Sequence, residues 1–253
     1  MAVRPGQFEP RWNQKPPLRA NAPVDACSIN RLVKAVETTQ ATAEKILDVA
    51  ERLFASRGFT ATTIKTIAAE SKQNSALIYY YYNSKATLYR HVLERVIGRI
   101  AAEAASRITK DSSPTEVVAA VVQSQVAVLA ANPHLPILLA RELIDWKAAH
   151  AEPAIRALSA GLFERLRTAI ESGQQQGLFS KQVNPRFAAI SIVAQVGYLV
   201  LASPVAGILL GRGPEGPTRE DVKAFGDHAA TFSLAGLRDY GSVVHHSPSQ
   251  VTS

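Results

Sequence analysis

The chain has 253 residues, 47% of them hydrophobic, and carries a net charge of +7. This length and apolar content exclude a wholly disordered chain and suffice for a substantial core, divided between a small domain and a larger one. The single cysteine, Cys27, excludes an intramolecular disulfide framework and a multi-cysteine zinc site, which suits a reducing compartment.

Residues 1–24 hold Pro5, Pro10, Pro16, Pro17 and Pro23 with little apolar periodicity, the pattern of a disordered arm. Within it Arg4, Arg11 and Arg19 can follow a nucleic-acid backbone, and the bland reading is a solvated tail. No apolar stretch in the first thirty residues is long enough for a secretory signal, so a cytoplasmic protein is expected. Ile29, Leu32, Val33 and Val36 suit one short extra helix, which leaves 1–40 as an arm that is disordered or partly helical.

From Thr42 to Arg57 the stripe Ile46, Val49, Ala50, Leu53, Phe54 predicts an amphipathic helix stopped by Gly58. Thr62 and Thr63 are N-cap types, and Ile64, Ile67 and Ala68 behind them give a second, short helix ending near Glu70. The polar run Ser71, Lys72, Gln73, Asn74 breaks the period, and Asn74 can cap a third helix through Ala76, Leu77, Ile78 and Tyr81. Two short helices joined by a four-residue turn are the elements of a DNA-reading helix-turn-helix. Four consecutive tyrosines, Tyr79 to Tyr82, point all round a helix, so some must be exposed. The charge agrees: residues 1–40 and 41–90 each carry +3 and the rest only +1.

These residues carry a family resemblance. The run T-T-x-x-x-I-A, a turn, then L-Y-x-Y-F-x-S-K-x-x-L resembles the N-terminal domain of the TetR-type (tetracycline-repressor-like) transcriptional regulators, matched at Thr62, Thr63, Ile67, Ala68, Ile78, Tyr79, Tyr81, Ser84, Lys85 and Leu88. The upstream A-x-x-L-F-x-x-x-G-F ending is present at Ala50, Leu53, Phe54, Gly58 and Phe59. Three positions depart: Lys72 stands for the usual turn glycine, Gln73 for an apolar turn residue, and Tyr82 for the closing phenylalanine. The resemblance implies phosphate contacts from Thr63, Tyr79 and Lys85, base-edge contacts from Ser75 and Tyr80, and Asn74 shared between capping and DNA.

Beyond a connecting helix from Lys85 through Ile100, Ser113 with Glu116 forms a capping box ahead of Pro114, and Val117, Val121, Gln125 and Val128 share a face up to Asn132-Pro133. Pro136 opens a helix to about His150. Pro153 opens a long one, with Ile155, Leu158, Leu162, Leu166 and Ile170 inward, closing near Gly177. Asn184-Pro185 starts the next, and residues 187–211 contain no charge; a membrane span is weighed against a helix buried on all sides, partly by a second subunit, which is favoured. Gly211, Gly213 and Gly216 spell G-x-G-x-x-G without the strand–helix context of a dinucleotide site, so this is read as a helix connection. Thr218 and Asp221 announce the last helix, with Val222, Phe225, Ala229, Phe232 and Gly236 at helical spacing and Gly226, Ala230 and Ser233 permitting close packing.

The expected fold class is therefore all-α: a three-helix helix-turn-helix domain at 41–90, a helical ligand-binding and dimerisation bundle at 91–240, and a disordered tail at 241–253. The resemblance implies a homodimer joined by the last two long helices and an effector pocket in each bundle. The expected function is a DNA-binding regulator, a repressor released from a pseudo-palindromic operator on double-stranded DNA by an unknown small-molecule effector, with no cofactor and no metal. Aromatic and polar residues on the apolar helices, Trp146, Phe163, Gln195 and Tyr198, are the pocket residues proposed. A membrane-anchored regulator using 187–211, or an α-helical enzyme, are the alternatives; no nucleophile elbow, H-E-x-x-H or phosphate loop supports the latter.

Overall fold

Side-chain caps written in the sequence start α2, α3, α5, α9 and α11. The computed structural model describes residues 26–132 and 134–241, with side chains from residue 39 onward. The proline-rich arm, Pro133, the side chains of Cys27 and the rest of the extra N-terminal helix, and the tail beyond residue 241 lie outside the described residues. In chain order the elements are α1 (Ala26–Ala61), α2 (Ile64–Ser71), α3 (Ser75–Tyr82), α4 (Lys85–Arg107), α5 (Pro114–Ala131), α6 (Leu135–Trp146), α7 (Glu152–Leu158), α8 (Glu164–Gln175), α9 (Pro185–Leu201), α10 (Ser203–Leu209) and α11 (Arg219–Asp239). The described residues contain no strand, and the chain divides into two units at Leu93/Glu94.

In the first unit the helix expected from Thr42 begins at Ala26. No proline or glycine stands between Ala26 and Arg57, so nothing breaks it. At Gly58 the backbone turns to φ 78, ψ 171, a conformation essentially reserved for glycine, and the helix axis kinks there. Ile46, Ala50, Leu53 and Phe54 are fully buried as expected, and Phe54 meets Tyr89 edge-on at 4.9 Å. The Thr62 hydroxyl donates to Gly58 O at 2.8 Å and satisfies the carbonyl end of α1, while Thr63 caps α2 by accepting from the Thr66 amide.

Lys72 closes α2 in the left-handed region, at φ 56 and ψ 40, and the Gln73 amide donates back to Ala68 O at 2.9 Å. This is the position where a glycine costs nothing and a side chain is strained. Lys72→Gly should therefore raise stability by about 1 kcal/mol, read as a higher midpoint in thermal or urea unfolding. Tyr82, the departure from phenylalanine, is buried, and its extra hydroxyl donates to Ala43 O at 2.9 Å. A buried hydroxyl needs such a partner, so the substitution is accommodated rather than strained.

In the second unit α5 is the central helix, packed against α8, α9 and α11. Its capping box is complete: Ser113 accepts from the Glu116 amide, and the Glu116 carboxylate accepts from the Ser113 amide at 2.7 Å. Hydrogen bonds donated to it by the Ser113 amide and the Ser113 hydroxyl hold the Glu116 carboxyl below the ordinary range. The close approach of α11 is made by Gly226, where an added Cβ would lie 2.4 Å from Val126 Cγ2. The buried face of α11 is Val222, Gly226, Ala229, Ala230, Ser233 and Leu237. This corrects the expected stripe: Phe232 is 64% exposed and Gly236 is also exposed. A period of 3.6 allows steps of three or four, and the small residues take the close contact while Phe225 packs at its edge.

Two further expectations change. The long helix from Pro153 is interrupted by a π turn at Ser159–Phe163. Its extra residue rotates the segment before it by about 100° relative to a regular helix, so Leu166 and Ile170 are buried while Ile155 is 43% exposed. The uncharged run 187–211 is two helices bent by 88° at Ala202, with Pro204 in the first turn of α10. It is not one straight helix, and within the protomer Phe187, Ile190, Tyr198, Ile208 and Leu209 are exposed. α5 is long and apolar enough to cross a membrane, but half of it is buried inside the bundle.

The glycine loop connects α10 to α11. Gly211, Gly213 and Gly216 all have positive φ, and Gly207 packs directly on the backbone of Gly213 and Gly216. Thr218 and Asp221 form the second complete capping box, and Arg212 holds the Asp221 carboxylate at 3.0 Å. The Arg212 guanidinium and the Thr218 hydrogen bonds pull that carboxyl down to about 2.

Candidate nucleic-acid interface

The helix-turn-helix presents one face outward because its other face is fixed. On α3, Ile78, Tyr81 and Tyr82 are buried, while Tyr79 and Tyr80 are 51% and 52% exposed. The tyrosine run thus splits two and two. Tyr80 meets Tyr81 edge-on at 5.5 Å, and burial pushes the Tyr81 phenol upward, so it stays neutral. Asn74 caps α3 by accepting from the Ala76 amide at 2.9 Å, which uses its carbonyl oxygen and leaves its exposed NH2 group outward. Ser75 begins the helix and is half-buried. Thr63, at the start of α2, is exposed, and its hydroxyl lies 2.8 Å from that of Thr66.

Lys85 is placed differently from a simple surface cation. Its ammonium donates to Phe59 O at 2.9 Å and Thr62 O at 3.0 Å and lies 4.3 Å from the centroid of the Phe59 ring. Two of its three donors therefore tie α4 to the last turn of α1 and to the residue that follows it. Ser84 caps α4 by accepting from the Thr87 amide. The acid of the motif is neutralised within the unit, since Glu70 pairs with Arg52 at 2.7 Å and Arg57 at 3.4 Å. Lys65 and Lys72 are exposed on α2 and the turn. The face available to DNA thus carries cations, hydroxyls, an amide and two phenols, the groups that bind phosphates and base edges.

The four pocket residues do not converge. Phe163 lines a cavity of 280 Å³ inside the second unit. Gln195 lines a separate 310 Å³ groove between α9 and α11, where its Nε2 donates to Ser233 Oγ at 2.9 Å. Tyr198 is exposed on α9, and Trp146 meets His150 edge-on at 4.8 Å. Chosen by residue type, these four fall on different faces. Gln125, Ile155, Leu158 and Leu162, none of them among the four, line the cavity with Phe163. Gln125 was legible as the polar member of an apolar face of α5. The others depended on the π turn. Among the described residues no three His, Cys, Asp or Glu side chains are placed to hold a metal ion.

Residues 46–92 match the family model for bacterial regulatory proteins of the tetR family, and residues 114–224 match the tetracyclin repressor-like C-terminal domain. The HTH-type transcriptional repressor NicS of Pseudomonas putida is 32% identical over 145 residues, 56% of this chain and 68% of its own length. The chain belongs to the TetR family. It is accordingly a DNA-binding transcriptional regulator, in a family that is not enzymatic. A second TetR-type relative, the HTH-type transcriptional repressor SCO4008 of Streptomyces coelicolor, is 28% identical over 75% of this chain and 95% of its own. The fold is shared with solved regulators. The fatty acid degradation regulator FadR from Bacillus halodurans has a TM-score of 0.63 at 20% identity, covering 78% of this chain and 96% of its own. FadR from Bacillus subtilis, solved in complex with stearoyl-CoA, has a TM-score of 0.62 at 18% identity, covering 76% and 98%.

Proposed function

We propose that this TetR-family regulator is a cytoplasmic homodimeric repressor that binds a pseudo-palindromic operator and is released by a small molecule held in its C-terminal unit. The observation that carries the reading is α3: an eight-residue helix with Ile78, Tyr81 and Tyr82 locked into the core and Tyr79 and Tyr80 held outward. Such a helix can enter a major groove without moving. Thr63, Tyr79 and the remaining donor of Lys85 position the phosphate backbone, Ser75 and Tyr80 read base edges, and the NH2 group of Asn74 contributes while its oxygen caps the helix.

Repression is supported by the two relatives, both named as repressors. A small-molecule effector is supported by the structural neighbour solved with stearoyl-CoA and by the cavity beside Phe163. Dimerisation is supported by Phe187, Ile190, Tyr198 and Phe232, exposed apolar residues on α9 and α11. Effector binding would favour a spacing of the two α3 helices that no longer matches the half-sites.

The reading predicts that base and phosphate contacts separate. Tyr80→Ala should relax preference at one base position per half-site, at about 1–3 kcal/mol of discrimination. Thr63→Ala should weaken all sequences alike. Binding to operators mutated one position at a time measures both; a Tyr80→Ala profile parallel to the wild type at every position would remove Tyr80 from base reading.

A further inference from the structure

The cavity beside Phe163 has a chemistry that narrows what can fill it. Its walls come from α4, α5, α7, the π turn, α8 and α9, and include Ile100, Val121, Leu162 and Val193. Among the described residues that line it none is charged, and the polar ones are Gln125 and Ser159. Gln125 is buried to 5% exposure, and its Nε2 reaches Val121 O at 3.5 Å, the outer limit of a hydrogen bond. A buried carboxamide so weakly engaged retains both donor and acceptor capacity. Ile155 on α7 and Ser159 at the start of the π turn, both exposed, mark the mouth.

We propose that this cavity takes a small, uncharged molecule of one or two rings, with a single hydroxyl or carbonyl group that meets Gln125. The proposal rests on the reading that the C-terminal unit binds the effector, and names its chemical class. Size sets one bound. An apolar cavity of about 150 Å³ suffices for benzene, so 280 Å³ holds roughly two rings and falls well short of a stearoyl chain. Charge sets the other. A carboxylate or phosphate inside would lose its hydration with no cation to replace it. A hydroxyl would gain a partner in Gln125, and the aromatic edge of Phe163 with the aliphatic walls would bury the ring.

Isothermal titration of the full chain with 1-naphthol, naphthalene, octanoate and stearoyl-CoA tests this. Both naphthalenes should bind, with 1-naphthol the tighter, and octanoate and stearoyl-CoA should not compete. Gln125→Leu should weaken 1-naphthol about ten-fold and leave naphthalene within about two-fold. Leu162→Trp should fill the cavity and abolish both. If that variant fails to fold, Val193→Trp, at the partly exposed rim, serves the same purpose. Failure of both naphthalenes to bind the wild type, octanoate binding as tightly as 1-naphthol, or undiminished binding to a folded cavity-filled variant would overturn the proposal. Adding operator DNA separates the two readings: probe binding that leaves operator affinity unchanged counts against the effector role, and the cavity's chemistry stands.

Discussion

Lys85→Ala should lower the unfolding midpoint of the N-terminal unit by several degrees, before any DNA is added. The ammonium donates to two carbonyls, Phe59 O and Thr62 O, and lies on the Phe59 ring. A charge-assisted hydrogen bond contributes about 1.5–3 kcal/mol and the cation–π contact about 0.5–1 kcal/mol. Because the site is only half-buried and water can replace part of this, a net loss of about 2 kcal/mol is expected. The same residue carries a positive charge at the start of α4, so operator affinity should fall for all sequences and the salt slope should drop by about one unit. Thermal melting and binding at several salt concentrations separate the roles. An unchanged midpoint with a reduced slope would mean that Lys85 serves phosphate alone.

Phe187→Glu combined with Tyr198→Glu should give a folded monomer with operator affinity lowered by about 10²–10⁴, the effective-concentration gain lost when two half-site contacts are no longer linked. Both side chains project from α9 into solvent in the protomer, 69% and 58% exposed, so the fold itself does not depend on them. Burying two unpaired carboxylates against an apolar partner face is what prevents association. Sedimentation and circular dichroism check the two halves of the expectation; a dimer that persists would move the interface elsewhere.

Local signals were the most legible. The capping boxes at Ser113–Glu116 and Thr218–Asp221, the Asn74 and Asn184 caps, the break at Gly58 and the left-handed Lys72 all follow from short-range chemistry. The helix-turn-helix was legible because its pattern is dense: caps, turn and apolar period agree within thirty residues. What tertiary packing decides was less so. Nothing in Ser159–Phe163 announces a π turn, which separates exposed Ile155 from buried Leu166 and contributes Ser159, Leu162 and Phe163 to the cavity wall. The bend at Ala202 hid in an uncharged run where no polar face marks direction. On α11 the contact was set by Gly226 against Val126, which leaves Phe225 at the edge of the core and Phe232 exposed. The Lys85 hydrogen bonds span more than twenty residues of sequence, beyond any local rule.

The central claim, a two-fold symmetric repressor reading DNA through α3, is tested most directly by footprinting the purified chain on the promoter of its own gene. The account predicts protection of one pseudo-palindrome whose half-sites are centred about 34 Å apart, or a multiple of it, with each half-site lost together in Phe187→Glu/Tyr198→Glu. Protection of a single unrepeated half-site, or uniform coverage without sequence preference, would contradict it.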